Sequence, residues 1–101
     1  MTKLETAFTQ ELLEQLTAAE QVTGVGEPRL REQSLTLGGP QAVKRLLGRG
    51  QTTRQFGPLR EKGRLDLSVE VLVTRGKYAE LFTDEEADAC LAALLEAGFY
   101  R

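Results

Sequence analysis

The sequence contains no histidine and only one cysteine, Cys90, among its 101 residues. Histidine is the side chain most often used as a general base near neutral pH, and it is the commonest metal ligand. A single cysteine cannot form an internal disulfide and is too few for a thiolate zinc or iron–sulfur site. The chain also lacks the glycine-rich patterns that bind nucleotide phosphates. We therefore expect no enzymatic activity, no cofactor and no metal.

Long hydrophobic runs are absent as well, since no segment approaches the ~20 apolar residues that a membrane-spanning helix needs. Residues 1–5 turn polar and acidic at once and contain no hydrophobic region of a signal peptide. Because no pair of cysteines is available to form a disulfide, we expect a cytoplasmic protein with no membrane partner. The length fits one domain that spans residues 1–101.

Charge is distributed unevenly along the chain, although the formal net charge is only −2. Residues 1–20 and 65–101 are acidic, whereas residues 44–64 carry seven basic side chains against one acid, Glu61. Such a segment is typical of a surface that contacts nucleic acid or an acidic partner. The acidic ends could also neutralise it, within the domain or across a symmetric dimer. The candidate contact residues are Lys44, Arg45, Arg49, Arg54, Arg60, Lys62 and Arg64.

Helix signals are strongest at the two ends of the chain. Thr2 with Glu5, and Thr83 with Glu86, have the spacing of a capping box. Apolar residues then recur on one helix face over residues 3–22 and 83–97. Proline and glycine delimit shorter helices near 40–48, 57–62 and 77–82. The pattern predicts an all-α, compact bundle of about five helices, in which long first and last helices pack over short central ones.

Two features of the last predicted helix have both a functional and a structural interpretation. The acidic cluster Asp84, Glu85, Glu86 and Asp88 could hold a metal, but acids in a first helical turn usually complement the helix dipole. Cys90 lies mid-helix, and we interpret it as a small core residue rather than a reactive thiol. The predicted buried stripe of this helix is Ala87, Cys90, Leu91, Leu94 and Leu95.

The order of motifs over residues 39–98 resembles a group of short bacterial proteins of unknown function. Residues 63–70 read Gly-Arg-Leu-Asp-Leu-Ser-Val-Glu, which is similar to the Gly-Arg-Leu-Asp-Leu-Ser/Thr-x-Glu core of that group. Residues 81–86 read Leu-Phe-Thr-Asp-Glu-Glu, which is similar to its Leu-Phe-Thr-x-x-Glu helix start. The first 38 residues lie outside the resemblance. Because the group has no assigned activity, the resemblance implies no functional residue.

Residues 65–73 are the main ambiguity of the fold. Leucine and valine alternate there with other residues, which is typical of a strand. Pairing with residues 34–37 in a small hairpin would give an α+β fold as the alternative. The same stretch can form a helix capped by Asp66 or Ser68. Members of the similar group often have alanine at the position of Val71, and this implies a helix because alanine suits a helix interior.

Together these patterns favour a non-enzymatic protein-interaction module that binds another protein or a second copy of itself. Segregated charge could steer such a partner. The alternative is a small nucleic-acid-binding protein that uses residues 44–64. Helices at 40–48 and 57–62 would then loosely resemble a helix-turn-helix, with a connection longer than the usual turn.

Overall fold

In the computed structural model, which describes residues 2–99, the chain folds into six α-helices and two 3-10 helices. No residue in that range forms a strand. The all-α prediction is therefore confirmed, whereas the count of about five helices is too low. The α-helices are α1 (Lys3–Thr23), α2 (Pro28–Leu37), α3 (Gly39–Gly48), α4 (Phe56–Glu61), α5 (Val69–Thr74) and α6 (Asp84–Glu96), and the 3-10 helices are Leu65–Leu67 and Gly76–Leu81.

The first and last α-helices begin with the predicted capping boxes. The Thr2 hydroxyl accepts the N–H of Glu5, whose carboxylate accepts the N–H of Thr2 in return. Thr83 and Glu86 repeat this exchange at the start of α6. At its other end α6 is closed by Gly98 in the left-handed region (φ 82°). Each exchange satisfies backbone donors that a helix end otherwise leaves unpaired.

Residues 65–73 form the 3-10 helix Leu65–Leu67 and most of α5, so the hairpin with residues 34–37 is wrong. Residues 34–37 are the last turn of α2. The Ser68 hydroxyl accepts the N–H of Val71 at 3.2 Å, which identifies Ser68 as the cap of α5. Five of the six residues of α5 are buried, because α5 lies between α1 and α6. A short helix enclosed on all sides needs apolar residues on every face, and its sequence therefore resembles a strand.

Helix α1 forms the main support of the fold, contacting α2, α3, α4, α5 and both 3-10 helices. The Phe8 ring meets Tyr78 and Phe82 edge-on, with ring centres 5.1 and 5.2 Å apart. Helix α3 approaches α1 closely at Gly39, whose N–H donates to the Thr9 hydroxyl at 2.9 Å. A Cβ atom at Gly39 would lie 3.0 Å from the Thr9 Cα, so only glycine permits this approach.

Helix α6 buries a narrower stripe than the sequence predicted. Cys90 and Leu94 are buried, which confirms the core assignment of the cysteine. Leu91 and Leu95, however, are 39% and 54% exposed, so their assignment to the buried stripe is wrong. The physical reason is that α6 packs against α5 and α3 on one side, and the flank with Leu91 and Leu95 lies outside that contact.

Candidate interaction surface

Two of the seven candidate basic residues are neutralised within the fold. Lys44 Nζ lies 2.7 Å from a carboxylate oxygen of Glu86 and 5.4 Å from the centre of the Phe82 ring. Arg64 pairs with Asp66, two residues on, at 3.1 Å. Burial alone would raise the pKa of Glu86, but the hydrogen bonds from Lys44 and Thr83 lower it overall. Lys44 and Arg64 are therefore engaged in contacts of the chain itself.

The other five candidates are exposed and form no ion pair with any residue between 2 and 99. Arg45 and Arg49 lie one turn apart at the end of α3, and Arg60 lies near the end of α4. The acidic residues of the domain thus neutralise only part of the basic segment 44–64. We use the name basic surface for the set of these five exposed side chains, which come from α3, from α4 and from the residues next to these helices: Arg45, Arg49, Arg54, Arg60 and Lys62.

The helices that carry the basic surface do not form a compact helix-turn-helix. Residues 49–55 separate α3 from α4, and α4 has only six residues. Both helices pack on α1 rather than on one another. A recognition helix in the DNA major groove is normally held by the preceding helix across a turn of three or four residues. The similarity is therefore limited to the order of helices.

A buried carboxylate holds the middle of the connection 49–55. Glu70, which is only 2% exposed, comes from α5. Its two oxygens accept the backbone N–H of Thr53 at 2.7 Å and the hydroxyl of Thr53 at 3.0 Å. Because both donors belong to one residue, the contact fixes the position and the orientation of the connection at Thr53.

A second buried carboxylate holds the end of the same connection. Glu27, just before α2, accepts the backbone N–H of Gln55 at 3.1 Å. The Gln55 side-chain amide donates to the carbonyls of Leu16 and Val25, at 3.2 and 2.7 Å. The segment that carries Arg49 and Arg54 is thus tied to α1, α5 and the start of α2. It follows that these arginines project from an ordered backbone.

Burial raises the pKa of both carboxyl groups above the ordinary value of 4.5. The hydrogen bonds from residues 53–55 act in the opposite direction, because they stabilise the charged form. The charge of Glu27 raises the pKa of Glu70 further. In both groups the cost of placing a carboxylate away from water dominates.

Glu70 and Cys90 also line a cavity of about 230 Å³ between the connection and α6, together with Leu47, Ala89 and Ala93. Burial raises the pKa of the Cys90 thiol to about 12, and the nearby carboxylates of Glu70 and Glu86 add to this rise. A nucleophilic cysteine needs the opposite shift, because the thiolate is the reactive form. This environment supports the interpretation of Cys90 as a core residue.

The acidic cluster lies at the start of α6, where it takes part in capping the helix. Glu86 serves both the capping box and the ion pair with Lys44, while Asp84 and Glu85 lie in the first turn. Within residues 2–99, the acidic side chains and Cys90 form no group of three or more that could hold a metal ion.

In the same part of the chain, no helix combines the length and the apolar character that crossing a membrane would require.

The sequence identifies the basic residues but not the buried residues that hold the connection 49–55 in place. The sequence indicates only a connection between the predicted helices 40–48 and 57–62, yet Thr53 and Gln55 within it are 4% and 1% exposed. One signal was available, because Glu70 is the only charged residue within the apolar run 69–73. A charge enclosed in such a run has to find hydrogen-bond partners. No comparable signal marks Glu27, whose neighbours in the sequence are glycine and proline.

Comparison with known proteins gives no relative: no protein-family model, no characterised protein sequence and no solved structure matches this chain. The resemblance to the short bacterial proteins therefore stays a prediction from the motifs.

Proposed function

We propose that the protein is a non-enzymatic interaction module whose basic surface binds an acidic segment of a partner protein. The observation that carries the proposal is the set of five exposed cations that form no ion pair with another residue between 2 and 99, on a fold that pairs Lys44 and Arg64. Among the five, Arg54 has a buried carboxylate nearby, that of Glu27, whose pKa is raised by burial while the charge of Arg54 acts to lower it. Unpaired charge of one sign attracts a partner of the other sign and raises the rate of association.

The anchoring of residues 49–55 supports the same proposal. Ordering a loop or a side chain on binding reduces affinity, so a surface that is fixed beforehand binds more tightly. Glu70 and Glu27 hold the backbone on either side of Arg54, and the end of α3 holds Arg49. The guanidinium groups suit carboxylates, because each presents a planar fork of N–H donors.

A charge-neutralised variant tests the proposal in a pull-down from nuclease-treated extract of the native host. Arg49→Gln/Arg60→Gln removes two charges of the basic surface, and Lys3→Gln/Lys77→Gln removes two charges elsewhere. We expect protein partners retained by the wild type to be depleted severalfold with the first variant and retained with the second. Recovery that is equal with both variants would refute the basic surface as the binding site.

Binding to nucleic acid is the competing outcome and has its own measurement. An electrophoretic shift with nonspecific duplex, run at 50 and 200 mM salt, would show tight binding that weakens steeply with salt if phosphates were the target. Such a result would favour the small nucleic-acid-binding protein over the protein module. Sedimentation velocity of the purified chain separately identifies a second copy as the partner, since a dimer sediments faster than the monomer.

A further inference from the structure

A cleft between α2 and α3 adjoins the basic surface. It has a volume of about 170 Å³ and is lined on its apolar side by Leu30, Ala42 and Leu46. A cavity of ~150 Å³ lined by apolar side chains is large enough to bind benzene. The cleft can therefore accept one side chain of the size of leucine or phenylalanine, but not a drug-sized molecule.

The rim of this cleft is basic. Arg29 from α2 and Arg49 from the end of α3 both line it, and Arg45 precedes Arg49 by one turn on α3. Neither Arg29 nor Arg49 forms an ion pair with another residue between 2 and 99. The arginine side chains are exposed, so they are accessible to a carboxylate that approaches from solvent.

The polar lining offers further hydrogen-bonding groups. Gln33 and Gln51 both line the cleft, and their side-chain amides form no hydrogen bond with another described residue. Glu27 also lines it, but one of its oxygens already accepts the N–H of Gln55. An extended peptide that crosses the cleft could thus pair its backbone groups with the two glutamines.

We propose that the cleft between α2 and α3 binds one apolar side chain of an acidic peptide, while Arg29 and Arg49 bind a neighbouring carboxylate. This inference rests on the proposed function, since it names the kind of segment that the basic surface recognises. The basic surface supplies attraction for acidic segments in general, and the cleft selects those with an apolar residue beside the acid. The arginines at the rim favour a peptide that carries an acidic residue, because the charges are complementary. The apolar lining of the cleft favours an apolar side chain at the neighbouring position of that peptide.

Selection from a random twelve-residue peptide library, displayed on phage and presented to the full chain, tests this inference. Three variants accompany the wild type. Gln33→Trp fills the cleft from α2, and Gln10→Trp places the same side chain on the exposed side of α1 as a control. Arg29→Glu reverses a charge at the rim in the first turn of α2, where an acid suits the helix dipole. Circular dichroism of each variant checks that the helical fold is retained.

We expect enriched peptides to place a leucine, isoleucine or phenylalanine beside an acidic residue. Fluorescence anisotropy should show that Gln33→Trp and Arg29→Glu weaken binding of such a peptide about tenfold or more, since each removes one of the two contacts. Gln10→Trp should leave the affinity unchanged. Replacing the apolar residue of the peptide by serine should cause a loss similar to that of Gln33→Trp.

The failing outcomes separate the two proposals. Enriched peptides that are acidic but have no apolar preference, bound equally by Gln33→Trp, would overturn the cleft and leave the basic surface standing. Enriched apolar peptides without acidic residues would overturn the acidic partner itself. If no peptide is enriched above background, the proposal for the cleft is refuted, whereas the pull-down with Arg49→Gln/Arg60→Gln decides separately whether the basic surface binds a protein.

Discussion

The buried carboxylate of Glu70 illustrates how one residue can organise a surface that it does not touch. It lies inside α5, yet its two hydrogen-bond donors come from Thr53 in the connection that carries Arg49 and Arg54. A carboxylate is costly to bury unless its oxygens accept hydrogen bonds. Removing it would leave the buried N–H and hydroxyl of Thr53 without their acceptor, which is also costly.

Substitutions at position 70 should therefore show whether Glu70 stabilises the fold through its hydrogen bonds or through its charge. We expect Glu70→Gln to be tolerated, because an amide oxygen can accept the Thr53 N–H and the amide nitrogen can donate to the hydroxyl. Glu70→Leu should lower the free energy of unfolding by about 1–3 kcal/mol, because it leaves buried donors unpaired. Urea denaturation at neutral pH measures both. If Glu70→Leu is as stable as the wild type, the contact with Thr53 does not hold the connection.

At the scale of the elements, α6 contrasts with α5. Helix α5 is buried on every side, whereas α6 buries Cys90 and Leu94 and exposes Leu91 and Leu95. Leu94 and Leu95 are therefore adjacent in the sequence but differ in their surroundings. Burial removes apolar surface from water, and truncation of a buried leucine also leaves a cavity.

The adjacent leucines of α6 give a matched pair of alanine substitutions. Leu94→Ala should lower the free energy of unfolding by about 2–5 kcal/mol, since Leu94 is fully buried. Leu95→Ala should change it by less than about 0.5 kcal/mol, because the side chain is exposed and alanine is a good helix former. Thermal or urea denaturation followed by circular dichroism measures the difference. Equal losses would mean that the orientation of α6 about its axis is wrong.

The elements that could be predicted from the sequence are those whose signals are local. The capping boxes at Thr2 and Thr83 predicted where α1 and α6 begin, because each capping box depends on residues only three positions apart. The state of α5 could not be derived from periodicity, because its pattern depends on the helices that surround it. The exposure of Leu91 and Leu95 depends on where α6 packs, which is again a tertiary property.

The same distinction applies to the candidate surface. The cations of residues 44–64 are visible in the sequence because charge is a property of single residues. Which of them remain unpaired is not visible, since Glu86 lies 42 positions from Lys44. The contact of Glu70 with Thr53 joins residues 17 positions apart, and the cleft depends on how α2 and α3 pack against one another. These features can be identified only from the tertiary structure.

For the whole molecule, the titrating carboxylates fall into two groups with opposite effects on stability. Burial raises the pKa of Glu70 and Glu27 in the folded state. Hydrogen bonds from Lys77 and Tyr78 lower the pKa of Glu11, and the contacts with Lys44 and Thr83 lower that of Glu86. A group whose pKa is raised by folding makes its full contribution to stability when the pH is below 4.5, its pKa in the unfolded chain. This contribution is lost as the pH rises through the pKa of the group in the folded protein. A group whose pKa is lowered acts in reverse, because its contribution is lost as the pH falls below 4.5.

These opposing effects predict that the fold is most stable in weakly acidic solution. The urea concentration at the midpoint of unfolding should be highest at about pH 5 and should fall both toward pH 3 and toward pH 8. The fall on the alkaline side should be largely absent in Glu27→Gln/Glu70→Gln, because neither position then titrates, while the fall on the acidic side should remain. Lys3→Gln serves as a control that alters net charge without altering a buried acid. A midpoint that rises steadily from pH 5 to pH 8 in the wild type would contradict the prediction, since the two buried carboxyl groups would then be ionised in the folded protein at no cost.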